Sequence, residues 1–177
     1  MIGVLVSGEG SNLQALIDAR LPVAAVASNK PGVRALERAE GAGIPTGAFR
    51  LEEFADREAR DSAMAAWLAE RGVELVVCAG YMHLLTPAFL DRFPGRIVNV
   101  HPSLLPEFPG TRAIEDALAA GVERTGVTVH LVDEGVDSGP VLAQEEVPVE
   151  PAETLPERIH ALEHRLLPRV VRELCER

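Results

Sequence analysis

The sequence predicts an α/β protein: a doubly wound, mostly parallel sheet with a C-terminal antiparallel strand addition and a final helix. Three observations carry this. Short apolar runs alternate with helix-period segments through the first half of the chain. The first apolar run ends in a glycine-rich turn that opens a helix. The tail breaks the rhythm, with two strand-like runs joined by a short acidic, glycine-containing loop.

Taken in order, Ile2 to Ser7 is a short apolar run and reads as a buried strand, and a helix follows from about Ser11 to Ala19. Val23 to Ala27 is the second strand, leading to a helix from Val33 to about Ala42. Thr46 to Phe49 fits a short third strand. Phe54 to Arg71 has helical spacing, with Phe54, Met64, Trp67 and Leu68 among its apolar positions. Leu75 to Ala79 is the next strand, bounded by Gly80. Pro87, placed after Thr86, suits the first position of a helix running to Phe93. Arg96 to His101 is a strand that Pro102 stops by removing a ladder donor. Gly126 to Val132 and Pro140 to Val147 form the hairpin-like tail. Thr154-Leu155-Pro156-Glu157 has the form of a capping box and starts a helix to Glu176.

A length of 177 residues suits a single domain, and 47% hydrophobic with 25% charged residues is an ordinary globular balance. The net charge of −10 argues against nucleic acid, because no basic surplus exists to displace phosphate counterions. No apolar run reaches the roughly 18 residues of a membrane span. Met1 leads directly into Ile2-Gly3-Val4 without the basic start of a signal peptide. Cys78, inside an apolar run, and Cys175 make no disulfide framework, which fits a reducing cytoplasm.

The most informative stretch is Arg96 to Gly110. Residues two apart on a strand share a face, so Asn99 and His101 point one way and Val98 and Val100 the other. An amide that binds an oxygen beside an imidazole that moves a proton suits carbonyl chemistry. A buried polar pair capping a strand end is the alternative. The loop Ser7-Gly8-Glu9-Gly10-Ser11-Asn12 precedes a helix N-terminus, whose free N–H groups attract an anion. It is not a dinucleotide fingerprint, because Leu13 stands at the third glycine position and Ser28-Asn29 offers no acid for a ribose. A phosphate monoester fits better, with a plain strand-to-helix turn as the alternative.

The loop Asp133 to Pro140 is rich in turn residues, which explain Asp137 without function. Lying past a strand end, it can also bring a carboxylate to His101, fixing the imidazole tautomer and raising its proton affinity. His160 to His164 matches H-x-x-E-H, yet the chain ends too soon for the further ligand such zinc sites need, so no metal is expected. His83 and His130 do not look like metal ligands either. No serine lies on a G-x-S-x-G elbow, and Cys78 is too apolar in context for an activated thiolate.

Together, NVHPSLLPEFPG, VSGEGSNLQAL, AGYMHLLTP and VDEGVDSGPVL resemble the formyltransferases that use 10-formyltetrahydrofolate, over essentially the whole chain. The HPSLLP segment marks the superfamily. The GxGSN loop resembles the branch that formylates the amine of glycinamide ribonucleotide in purine synthesis. The resemblance implies a Rossmann-like formyltransferase fold as one domain over residues 1–177, with a phosphate-binding half of about 1–95 and a catalytic, folate-binding half of about 96–177.

It implies, further, that Asn99, His101 and Asp137 are catalytic, and that Gly10, Ser11 and Asn12 hold the ribonucleotide phosphate, with His160 and Glu163 reaching the ribonucleotide. Arg57, Met82, His83, Leu84, Leu85, Asn99 and the loop Asp133, Glu134, Gly135, Val136 and Asp137 would line the folate pocket. His83 stands where an arginine is common, and His160 replaces a usual glutamine. The extra C-terminal domain of methionyl-tRNA formyltransferases and the N-terminal domain of formyltetrahydrofolate hydrolases are missing, which favours the purine branch. The expected partners are small-molecule substrates, with 10-formyltetrahydrofolate as formyl donor, in a cytoplasmic monomer or homodimer with no metal.

Overall fold

The computed structural model describes residues 1–177. In chain order the elements are β1 (Ile2–Val6), α1 (Ser11–Asp18), β2 (Val23–Ser28), α2 (Arg34–Gly41), β3 (Thr46–Ala48), α3 (Arg57–Glu70), β4 (Leu75–Cys78), α4 (Pro87–Leu90), β5 (Ile97–His101), α5 (Ala113–Ala120), β6 (Arg124–Leu131), β7 (Val141–Pro148) and α6 (Leu155–Glu176). The strands follow the order β3-β2-β1-β4-β5-β6-β7 in a seven-stranded sheet. The chain divides into two compact units, Met1–Val98 and Asn99–Arg177.

In the first unit β1 pairs in parallel with β2 and β4, and β2 with β3. Parallel strands are covered on both faces, and the sequence shows it: Ile2, Val4, Leu5 and Val6 are all fully buried. Leu13 and Leu16 of α1 and Met64 and Leu68 of α3 complete this core. Helix α3 begins later than the periodicity suggests. A 3₁₀ turn covers Leu51–Glu53, and Asp56 caps the helix by accepting from the Ala59 N–H at 2.8 Å. Phe54 therefore lies outside the helix and stacks on Phe49 instead.

In the second unit β6 and β7 pair antiparallel, the expected strand addition. Helix α6 packs on both, burying Leu155, Ile159, Leu162, Leu166 and Leu167. One element here is additional to those expected, and one expectation fails. Helix α5 was not anticipated; eight residues form a marginal helix alone, and Ala113 and Ala117 gain stability only by burial. Thr154 does not cap α6 with its side chain, because a 3₁₀ turn at Ala152–Thr154 runs straight into the helix. Its hydroxyl donates to the Pro151 carbonyl at 3.2 Å and accepts from Arg158 Nε at 3.0 Å.

Candidate active site

Strand β5 ends with Asn99 and His101 two residues apart on one face, and His130 reaches them from β6. Asn99 Nδ2 lies 3.3 Å from His130 Nε2. Asp137, in the loop after β6, stands between the two imidazoles: its Oδ2 is 3.5 Å from His101 Nδ1 and its Oδ1 is 3.6 Å from His130 Nε2. The Gly110 N–H donates to the same Oδ2 at 2.8 Å. His101 and His130 are buried, at 4% and 2% exposure, so this is a desolvated polar cluster rather than a solvated turn.

Backbone carbonyls fix the rings. A carbonyl only accepts, so His101 Nε2–H donates to Phe108 O at 2.8 Å and His130 Nδ1–H to Leu131 O at 2.9 Å. Nδ1 of His101 is then the nitrogen facing the carboxylate, and an N–H there exists only in the doubly protonated ring. His130 Nε2, in the neutral ring, accepts one Asn99 N–H and leaves the second for another acceptor; in the doubly protonated ring the same nitrogen donates to Asp137 Oδ1 instead. Phe108 and Asp137 both adopt left-handed backbone conformations, with φ of 50° and 52°. Such strain in non-glycine residues persists where surrounding contacts hold it. Gly139 is required nearby, because a Cβ there would overlap the Leu131 carbonyl.

Burial alone would raise the Asp137 carboxyl. The His130 hydrogen bond, the Gly110 N–H and the charges of both histidines outweigh it and hold the group below the usual carboxylate range. In the adjoining loop Asp133 Oδ1 accepts from Gly135 N at 2.9 Å and Ser138 Oγ at 2.8 Å, leaving Val136 exposed. On α6, His160 Nδ1 sits 3.1 Å from Glu163 Oε2, with the carboxylate buried and the imidazole half exposed. That hydrogen bond holds His160 above its ordinary value.

The first unit holds the remaining candidates. Gly10 precedes α1 with φ of 76°, and a Cβ there would come within 2.6 Å of Ala35 Cβ. A glycine is therefore demanded twice over, by dihedral and by space. No acidic residue and no side-chain cap occupies the first turn of α1, which begins at Ser11-Asn12. Met82 and Leu84 are exposed, Leu85 is buried, and Arg57 Nη2 donates to the Leu84 carbonyl at 2.6 Å. No group of three or more His, Cys, Asp or Glu side chains is disposed to hold a metal ion.

Sequence reading overlooked His130 as a site residue. A signal existed: Thr128 and His130 are polar at strand spacing within an apolar run, and both are buried. Phe108 and Gly110 contribute through backbone groups, for which side-chain identity carries no signal.

Residues 1–171 match the family described as Formyl transferase. The chain is 49% identical over 180 residues to the phosphoribosylglycinamide formyltransferase of Mycobacterium tuberculosis, covering 97% of this chain and 83% of that protein. It is 44% identical over 182 residues to the trifunctional purine biosynthetic protein adenosine-3 of Chironomus tentans, covering 97% of this chain but only 13% of that protein. The glycinamide ribonucleotide transformylase 1 of Symbiobacterium toebii superposes with a TM-score of 0.95 at 46% identity, covering 99% of this chain and 87% of that one.

Proposed function

The chain belongs to the formyl transferase family, and from that membership we propose that it moves a formyl group from 10-formyltetrahydrofolate to the amine of N1-(5-phospho-D-ribosyl)glycinamide, giving the N2-formyl product and tetrahydrofolate in de novo purine biosynthesis. The observation that carries this reading is the cluster of buried His101 and His130 with the partly buried Asn99 and Asp137. Such a cluster can stabilise an oxyanion and hold a proton, and it contains no serine, threonine or cysteine.

The amine, itself the nucleophile, attacks the formyl carbon and makes a tetrahedral intermediate. That intermediate collapses by breaking the carbon–N10 bond; the amine gives up one proton and N10 gains one. Asn99 donates its second amide N–H to the intermediate's oxygen, an electrostatic role commonly worth about 3 kcal/mol. His101 supplies positive charge near the same oxygen and takes part in the proton transfer once Nε2 exchanges the Phe108 carbonyl for substrate, while Asp137 at Nδ1 balances and orients it. Holding both substrates in line supplies much of the remaining acceleration.

Gly10, Ser11 and Asn12 take the ribonucleotide phosphate in this reading, supported by an α1 N-terminus with no acidic residue in its first turn. His160 and Glu163 take its sugar. Arg57, Met82 to Leu85 and Asp133 to Asp137 take the folate, supported by the exposed apolar Met82, Leu84 and Val136. The proposed domain spans residues 1–177 and acts on small molecules, without nucleic acid or metal, as a cytoplasmic monomer or homodimer. No helix is long and apolar enough to cross a membrane.

The test is to mix purified protein with a 10-formyl folate and follow the deformylated product by absorbance, with and without the ribonucleotide. Product that appears only with the ribonucleotide is expected. Product without it means a hydrolase, and none in either case means another acceptor or a non-catalytic binding protein.

A further inference from the structure

Beneath the loop joining β4 to α4 lies a polar network that the transfer chemistry does not use. Arg60 and Asp61 on α3 are both fully buried and paired, Nε to Oδ1, at 2.7 Å. A buried ion pair is costly to desolvate unless its remaining atoms find partners. Here Asp61 Oδ2 and Arg60 Nη1 find theirs in the loop, while Arg60 Nη2 is left without one. Asp61 Oδ2 accepts from Thr86 N at 2.8 Å and from Thr86 Oγ1 at 2.9 Å. Arg60 Nη1 lies 3.0 Å from His83 Nδ1. A guanidinium only donates, so Nδ1 accepts, and His83 is neutral with its proton on Nε2; Asn29 Nδ2, 3.4 Å from that nitrogen, is also a donor, so this contact is not a hydrogen bond. Asn29 meets Ser7 Oγ at 2.6 Å, and Ser7 Oγ accepts from Met82 N at 2.9 Å. With Arg57 on the Leu84 carbonyl, the loop is anchored at four positions, while Met82 and Leu84 remain 57% and 50% exposed.

We propose that Arg60 is a positioning residue for the formyl donor: through neutral His83 it holds the Met82–Leu85 loop in the shape that presents Met82 and Leu84 to the folate ring system. This rests on the assignment of that loop to the folate pocket. Preorganising an apolar platform improves affinity by removing the ordering cost from the binding step.

The anchor works only in one protonation state. Protonating Nδ1 would set an imidazolium N–H against the Arg60 guanidinium. The groups facing His83 are Arg60, Arg57 and Asp61 from α3, Lys30 after β2, the Asn29 amide, and Tyr81, whose ring stands 5.9 Å away. Burial, then Arg60, Arg57 and Lys30, outweigh Asp61 and keep His83 below its ordinary value. The neutral form being the native one, anchoring is complete above the ordinary histidine range and is lost as pH falls through the lowered value.

The experiment measures KM for each substrate between about pH 5 and about pH 8, using the full chain and its variants. Arg60→Met is expected to raise KM for the formyl donor about tenfold, with ribonucleotide KM changed by less than about twofold. His83→Gln, which cannot titrate, is expected to flatten the low-pH rise in donor KM, at whatever level that KM then stands. An equal rise in both KM values, or a low-pH rise that survives in His83→Gln, overturns the proposal. If Arg60→Met does not fold, the His83→Gln profile decides alone. No formyl transfer by the unmutated protein would sink the functional reading instead. Donor affinity is then measured by calorimetry, and equal affinity in Arg60→Met and the unmutated protein overturns this inference separately.

Discussion

The carboxylate of Asp137 faces Nδ1 of His101 at 3.5 Å, while the other ring nitrogen of His101 is held by the Phe108 carbonyl at 2.8 Å. One imidazole is thus gripped at both ends by two loops, and its orientation is settled before any substrate arrives. Catalytic groups whose rotamers are locked in this way lose little on reaching the transition state.

Asp137→Asn should keep the shape of this contact and remove its charge. We expect kcat to fall on the order of a hundredfold, with ribonucleotide KM little changed. His101→Ala and Asn99→Ala should likewise lower kcat with the fold intact. Near-normal turnover in any of the three would remove the role assigned to that residue.

The same carboxylate gives a pH dependence. Asp137 is held below the usual carboxylate range, so its contribution to folding is complete above that range and is lost as pH falls through its lowered value. In acid denaturation, Asp137→Asn should therefore remove part of the acid-side decline in stability. An unchanged difference between the two proteins from neutral pH down to acid would contradict the shift.

His130 should act through Asn99 and Asp137 rather than on substrate. We expect His130→Ala to lower kcat about tenfold, and Asn99→Ala added to it to cost less than the sum of the two, as groups in one network do. Strict additivity in the double-mutant cycle would separate His130 from the site.

Gly10→Ala would place a methyl group against Ala35 and force a positive φ on alanine. A loss of about 1–3 kcal/mol in stability is expected, read by denaturant titration, together with a raised ribonucleotide KM. A stable variant with an unchanged KM would leave the phosphate assignment of this turn without support.

The cysteines should differ sharply. Burial pushes the Cys78 thiol up to about 12, whereas Cys175 is exposed. Iodoacetamide at neutral pH should label Cys175 alone in the native protein and both cysteines after denaturation. Native labelling of Cys78, read by peptide mass spectrometry, would show that the β4 core opens.

Much of this was legible without coordinates. The strand at Ile2–Val6 follows from an unbroken apolar run, the placing of Asn99 and His101 on one face from strand alternation, and the final helix to Glu176 from the start signal around Pro156, all of which a single segment carries within itself. Where an element depended on its surroundings, the reading slipped. Helix α5 needed burial of its two alanines, and the cap at Thr154 was displaced by the turn before it.

By itself, the sequence determined the family and that Asn99 and His101 share one face of a strand end, because residue type, strand alternation and the glycine turn are local properties. Tertiary structure decided which groups face one another. His130 meets Asn99 across 31 residues of chain, and the carbonyl that orients His101 belongs to Phe108, whose side chain is irrelevant to the contact. Cross-strand neighbours and backbone acceptors leave no periodic trace in a sequence. They exist only once long-range pairing has brought the segments together.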